Sequence, residues 1–143
     1  MTETSTTIDA AGQRAADPAL VTYTHIVYGL HALSVLIGIT GPATVVGSFV
    51  FGLPSIIAVI MNYARRSEAR GTFLESHFTW QIRTFWFTLL WTVVAAIISA
   101  PLVLVLVGLL TFPVAVVVIG LWVAYRVVRG WLALRDGRSI GSP

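Results

Sequence analysis

The polar positions of this chain fall in a few clusters, and long apolar runs separate them. From residue 84 to residue 125 there is no Asp, Glu, Lys, Arg or His, and nearly every side chain is apolar. As one helix these 42 residues would be roughly 60 Å long. The hydrocarbon core of a bilayer is only about 30 Å thick, so the run predicts two crossings. A second run, 18–64, contains His25 and His31 as its only residues of those charged or titratable types, and at 47 residues it also exceeds one crossing.

Local breakers divide both runs. Gly38, Gly41 and Pro42 interrupt the first, which predicts one helix over 22–39 and a second over 43–62. The first is short and carries two histidines, so it is read either as a crossing or as a re-entrant element. The segment Gly108–Pro113 interrupts the other run, which predicts a third helix over 75–106 and a fourth over 113–134. Pro113 suits the first turn of a helix, where no backbone N–H is needed, and Thr111 is the candidate N-cap. Pairs of small residues at i, i+4 mark faces for close helix approach: Ser34 with Gly38, Ser48 with Gly52, Ala95 with Ser99, and Ala96 with Ala100. The expected fold class is all-α: a polytopic membrane protein with four transmembrane helices in two hairpins.

The arginines orient the hairpins. Arg65, Arg66, Arg70 and Arg83 lie between the second and third helices. Arg126, Arg129, Arg135 and Arg138 lie at or after the end of the fourth, and Arg14 precedes the first. The other two connections carry no charge. Four crossings place every arginine on one side, which the positive-inside rule makes cytoplasmic, so both termini are expected there. Tyr23, Tyr28, Tyr63, Trp80, Trp86, Tyr125 and Trp131 cluster toward the same ends, as an interfacial aromatic belt does. Residues 1–20 read as a disordered cytoplasmic tail, 21–134 as the transmembrane domain with a cytoplasmic loop at 63–83, and 135–143 as a second tail.

Composition agrees with this reading. Only 10% of residues are charged and 57% are hydrophobic, with a mean hydropathy of +0.87; a soluble domain carries about 25% charged residues. The net charge of +3 comes from nine basic residues, all arginine. Because they flank apolar spans, they read as topology determinants rather than as a nucleic-acid surface. The chain has no cysteine, which excludes disulfides and thiol chemistry.

Most of the polar chemistry lies in 62–85. Thr72-Phe-Leu-Glu75 has the pattern of a capping box, in which each end residue satisfies a backbone N–H of the other. The candidate contacts for a partner or for lipid are Arg65, Arg66, Arg70, Glu75, His77, Gln81 and Arg83; clustered arginines beside a span attract anionic headgroups. His31, with Ser34 three residues on, is the candidate intramembrane polar site. A polar group there needs a protein partner because hydrocarbon offers none. His25 and His31 do not share a helix face, and no HxxxH or HExxH occurs. No metal-binding, cofactor-binding or catalytic residue is therefore predicted, and no cofactor is implied.

The order of features resembles a family of small bacterial membrane proteins of unknown function that is itself similar to the Tic-type import subunit of the plastid inner envelope. The resemblance covers about residues 28–140. It rests on His31-Ala-Leu-Ser34, the turn with Gly38, Gly41 and Pro42, Pro54 in the second span, the pair Arg65–Arg66, the run from Glu75 through His77 to Gln81, and the closing stretch after the fourth helix. Trp80 stands where the family often has Asn. The resemblance implies a multi-pass protein of the bacterial cytoplasmic (inner) membrane rather than a reaction. With no nucleophile–base pair or phosphate loop in the sequence, the expected function is non-enzymatic: a scaffold or assembly partner of a membrane complex. An oligomeric transporter, channel or protein-translocation component is the alternative. The expected partners are membrane lipids and other membrane subunits or further copies of the chain, and not nucleic acid.

Overall fold

The computed structural model describes residues 7–9, 12–40, 45–103 and 107–141, and among these it is all-helical. The elements are α1 (Pro18–Thr40), α2 (Val45–Ala64), a single turn α3 (Arg66–Ala69), α4 (Leu74–Val103) and α5 (Gly108–Arg135). Three helices are long and apolar enough to cross a membrane: Pro18–Gly38, Leu74–Val103 and Leu110–Arg135. The Gly52–Ala64 part of α2 is apolar but shorter. This is a membrane protein built as a helical bundle.

Two helix starts differ from the sequence expectation, each for a local reason. α1 begins at Pro18 rather than at 22. The Asp17 carboxylate accepts the amide N–H of Ala19 at 2.9 Å, so Asp17 is the N-cap and Pro18 occupies the first helical position. The segment before it is docked: Arg14 donates to the carbonyls of Glu68 (2.8 Å) and Arg70 (2.7 Å), and its own amide donates to Gly71. α5 begins at Gly108, so Pro113 lies within the helix and Thr111 is not its cap. The Thr111 hydroxyl instead meets Ser99 Oγ at 3.3 Å and the Gly108 carbonyl at 3.4 Å. Gly108 is obligatory there, because a Cβ would fall 2.6 Å from the backbone of Leu102 and as close to that of Ser99.

At α4 the capping box forms one residue displaced. The Thr72 hydroxyl accepts from the Leu74 amide at 3.2 Å, and the Glu75 carboxylate reaches back to the amide of Gly71 at 2.9 Å. Gly71 sits at φ +72°, in the left-handed region that favours glycine. α5 ends on a second such glycine, Gly137 (φ +63°). The amide of Arg138 bonds back to Ala133 and that of Gly137 to Leu134, the Schellman arrangement. The turn sends the tail back along α4, where the Ile140 amide donates to Ser76 Oγ at 3.0 Å.

Paired residues establish the topology. Ser99 meets Thr111, Thr84 meets Arg126 and His77 meets Arg138, so α4 and α5 with its tail run antiparallel. Tyr23 meets Met61 and His31 meets Ser55, so α1 and α2 also run antiparallel. His25 meets Trp131, Tyr28 meets Gly130 and His31 lines a cavity with Arg126, so α1 also runs antiparallel to α5. The bundle is up-down-up-down.

Burial is uneven along the bundle. Among the buried residues of α4, all but Ser99 lie between 74 and 84. The core cluster joins Leu20, Tyr28, Ala69, Leu74, Phe78, Val123, Val127 and Leu134, all toward the arginine-bearing end. Beyond it the helices face outward: the membrane-length windows of α4 and α5 are only 6% and 11% buried, against 33% for α1. Trp91, Ile97, Ile98, Val114 and Val118 are exposed there. Of the small-residue pairs, Ser99 packs inside, whereas Ala96 and Ala100 are exposed.

Candidate functional site: a buried polar cluster at the arginine end

A chain of hydrogen bonds crosses the packed end. His77 Nε2 lies 2.8 Å from the carbonyl oxygen of Arg138, and Nδ1 lies 3.0 Å from the Tyr28 hydroxyl. A carbonyl only accepts, so Nε2 carries the proton. In the neutral ring Nδ1 is then an acceptor, and Tyr28 donates to it. This order ties α1, α4 and the tail together through one imidazole. Phe73 meets the same ring edge-on at 5.9 Å, and Trp131 stacks on Tyr28 at 6.5 Å. The Trp131 indole donates to His25 Nδ1 at 3.0 Å.

Arg126 forms the second element. Its Nε donates to Thr84 Oγ1 at 2.7 Å, and its guanidinium lies 3.7 Å over the Trp80 ring. The Trp80 indole donates to the Arg126 carbonyl at 3.2 Å. Thr84 passes its own hydroxyl hydrogen to the Trp80 carbonyl at 2.7 Å. Charge, stacking and hydrogen bonding thus fix this arginine in one orientation.

Between these elements lies a cavity of about 10 Å³ lined by Tyr28, His31, Trp80, Gln81, Thr84, Arg126 and Val127, room for about one water molecule. His31 Nδ1 is 3.2 Å from the Ser55 hydroxyl of α2, while its Nε2 has no hydrogen-bond partner among the described residues. The amide atoms of the buried Asn62 are likewise unpartnered among the described residues. Among the described residues no three His, Asp or Glu side chains converge as a metal site would require.

No family model, curated protein or solved structure matches the chain.

The structure divides the residues that the sequence groups into one contact surface. Arg66, Arg70, Glu75 and Arg83 are exposed, and Arg65 is half-buried. Arg65 pairs with Glu68 at 3.2 Å and lies over the Tyr23 ring. His77 and Gln81 are interior, 0% and 1% exposed, so neither can touch a partner or a lipid. The i, i+4 spacing correctly places them on one face, but that face is the core. The aromatic belt is corrected in the same way: Tyr28 and Trp80 are buried, whereas Tyr63, Trp86, Tyr125 and Trp131 are exposed. His31 finds Ser55, and Ser34 is half-buried on the same helix. Thr84, Arg126, Tyr28 and Gly130 were not singled out as site residues. The available signal was an arginine four residues after Trp122 at the end of an apolar run, opposite a threonine just past Arg83.

Proposed function

We propose that this chain is a non-enzymatic scaffold or assembly partner of a membrane complex. It crosses the bacterial cytoplasmic membrane four times, with both termini in the cytoplasm. The observation that carries the reading is how the polar groups are used. His77, Tyr28, Arg126, Thr84 and Trp80 are all engaged in bonds that join elements of the chain, and the cavity among them is smaller than any organic substrate. At the opposite end α4 and α5 present apolar ridges that a neighbouring subunit could cover. Isolation from native membranes in mild detergent, followed by identification of the copurifying chains, tests the proposal. A stoichiometric partner is expected; reproducible recovery of this chain alone would overturn it. Cysteine labelling from the two sides tests the topology: positions 12 and 139 are expected to react from the cytoplasm, and position 107 from the exterior.

A second reading, an oligomeric transporter, channel or translocation component, is favoured by the unpartnered Nε2 of His31 and by the resemblance to the Tic-type subunit. It requires several copies, because a single four-helix copy is too thin to enclose a wide pore. Loss of flux in proteoliposomes on His31→Ala, with assembly intact, would place it ahead of the first.

A further inference from the structure

Arg83 on α4 and Arg126 and Arg129 on α5 lie at the same end of the two helices, and among the described residues none has an acidic partner within 4 Å. The ion pairs among the described residues involve Arg65, Arg135 and Arg138 instead. Arg126 and Arg129 both lie over the Trp80 ring, at 3.7 and 5.5 Å, and Arg83 directly precedes Thr84, whose hydroxyl accepts from Arg126. Arg83 and Arg129 are exposed, and Arg129 donates only to the Tyr125 hydroxyl, at 3.4 Å. Two guanidinium groups over one ring repel each other, and an anion placed between them relieves that repulsion.

Depth identifies the anion. The charge-free part of α4, residues 84–103, is roughly 30 Å long, and that of α5, residues 108–125, roughly 27 Å. Both lengths match the hydrocarbon core. Arg83 and Arg126 bound these two segments at the same end, the level at which lipid phosphates lie. Trp122 and Tyr125 flank them there as interfacial aromatics do. Beside Arg83 a groove of about 330 Å³, lined by Ser76, Thr79, Ser139 and Glu75 among others, offers the hydroxyls of Thr79 and Ser139 to a polar headgroup, that of Ser76 being bonded to Phe73 and Ile140. Glu75, its acid, is about 12 Å along the helix from Arg83, beyond the screening length of about 8 Å in physiological salt.

We infer that Arg83 and Arg129, with Arg126 held behind them by Thr84 and Trp80, bind the phosphate of an anionic phospholipid. Arg126 supplies a preorganised charge, and the two exposed arginines close on the headgroup. The site needs only a membrane location and does not rest on the scaffold reading.

Purified protein titrated with phosphatidylglycerol against phosphatidylcholine, and read by native mass spectrometry, tests this. Wild type is expected to retain phosphatidylglycerol selectively. The exposed pair R83Q/R129Q is expected to weaken that binding about thirty-fold, from about 1 kcal/mol for each arginine near an anionic surface. R83K/R129K should recover much of it, because the charge is kept. R66Q/R70Q removes the same charge from the α3 loop and should change binding by no more than about threefold. Equal retention of the two lipids by wild type, undiminished binding by R83Q/R129Q, or an equal loss in R66Q/R70Q would overturn the assignment.

Discussion

The ring of Tyr28 occupies the space where residue 130 would carry its side chain. A Cβ built on Gly130 falls 2.7 Å from Tyr28 Cε1 and 2.8 Å from Cζ, and closer still to the hydroxyl. Tyr28 cannot swing aside, because it is buried, hydrogen-bonded to His77 and stacked on Trp131. Gly130→Ala therefore sets two effects against each other. Alanine gains about 1 kcal/mol of helix propensity over glycine, whereas overpacking costs about 1–3 kcal/mol and here also breaks the Tyr28–His77 bond. The expected result is a net loss of stability in detergent unfolding. A variant as stable as wild type would show that α1 and α5 are not packed this closely.

His77→Ala removes the group that connects three elements. The Tyr28 hydroxyl and the Arg138 carbonyl both lose their partner, at a cost of about 2–4 kcal/mol. Tyr28→Phe leaves only Nδ1 unpaired and should cost about 1–3 kcal/mol. The two variants separate by hydrogen exchange at Ile140, whose amide bonds Ser76. Exchange should accelerate in His77→Ala, where the tail is released, and change little in Tyr28→Phe.

Arg126 is predicted to be irreplaceable by lysine. Arg126→Lys keeps the charge but loses the planar group that stacks on Trp80 while donating to Thr84. The expected cost is about 1–2 kcal/mol. Combined with Thr84→Val in a double-mutant cycle, the two changes should be non-additive by about 1 kcal/mol or more. Additive effects would mean that the 2.7 Å bond carries no coupling.

The tail has one pH-sensitive contact outside the spans. The hydrogen bond from Arg138, reinforced by the charge of Arg135, holds the Asp136 carboxyl below the usual carboxylate range. Its folded pKa is depressed, so its contribution is present above the ordinary carboxylate pKa and is lost as pH falls through the lowered value. Carbon-13 titration of the Asp136 carboxyl should give a midpoint below that of a model peptide, and Arg138→Gln should raise it.

The sequence by itself determined the membrane location and the helical class. Each follows from local quantities: run length against bilayer thickness, and charge against apolar neighbours. It also placed the cap at Thr72–Glu75 to within a residue, whereas the last helix starts five residues before the expected Pro113 and runs through that proline. What it could not settle is which apolar or aromatic face is packed. In a membrane segment, lipid-facing and core-facing residues are equally apolar, so Trp80 and Trp86 look alike in sequence, yet one is interior and the other exposed. Only the tertiary structure decided that the core gathers at the arginine end. It alone joined His77 to Arg138 and Tyr28, Arg126 to Thr84, and Tyr28 to Gly130. These pairs lie 42 to 102 residues apart, and no local period reaches across such a separation. The partners are chosen by how four helices stack, which depends on the whole chain at once.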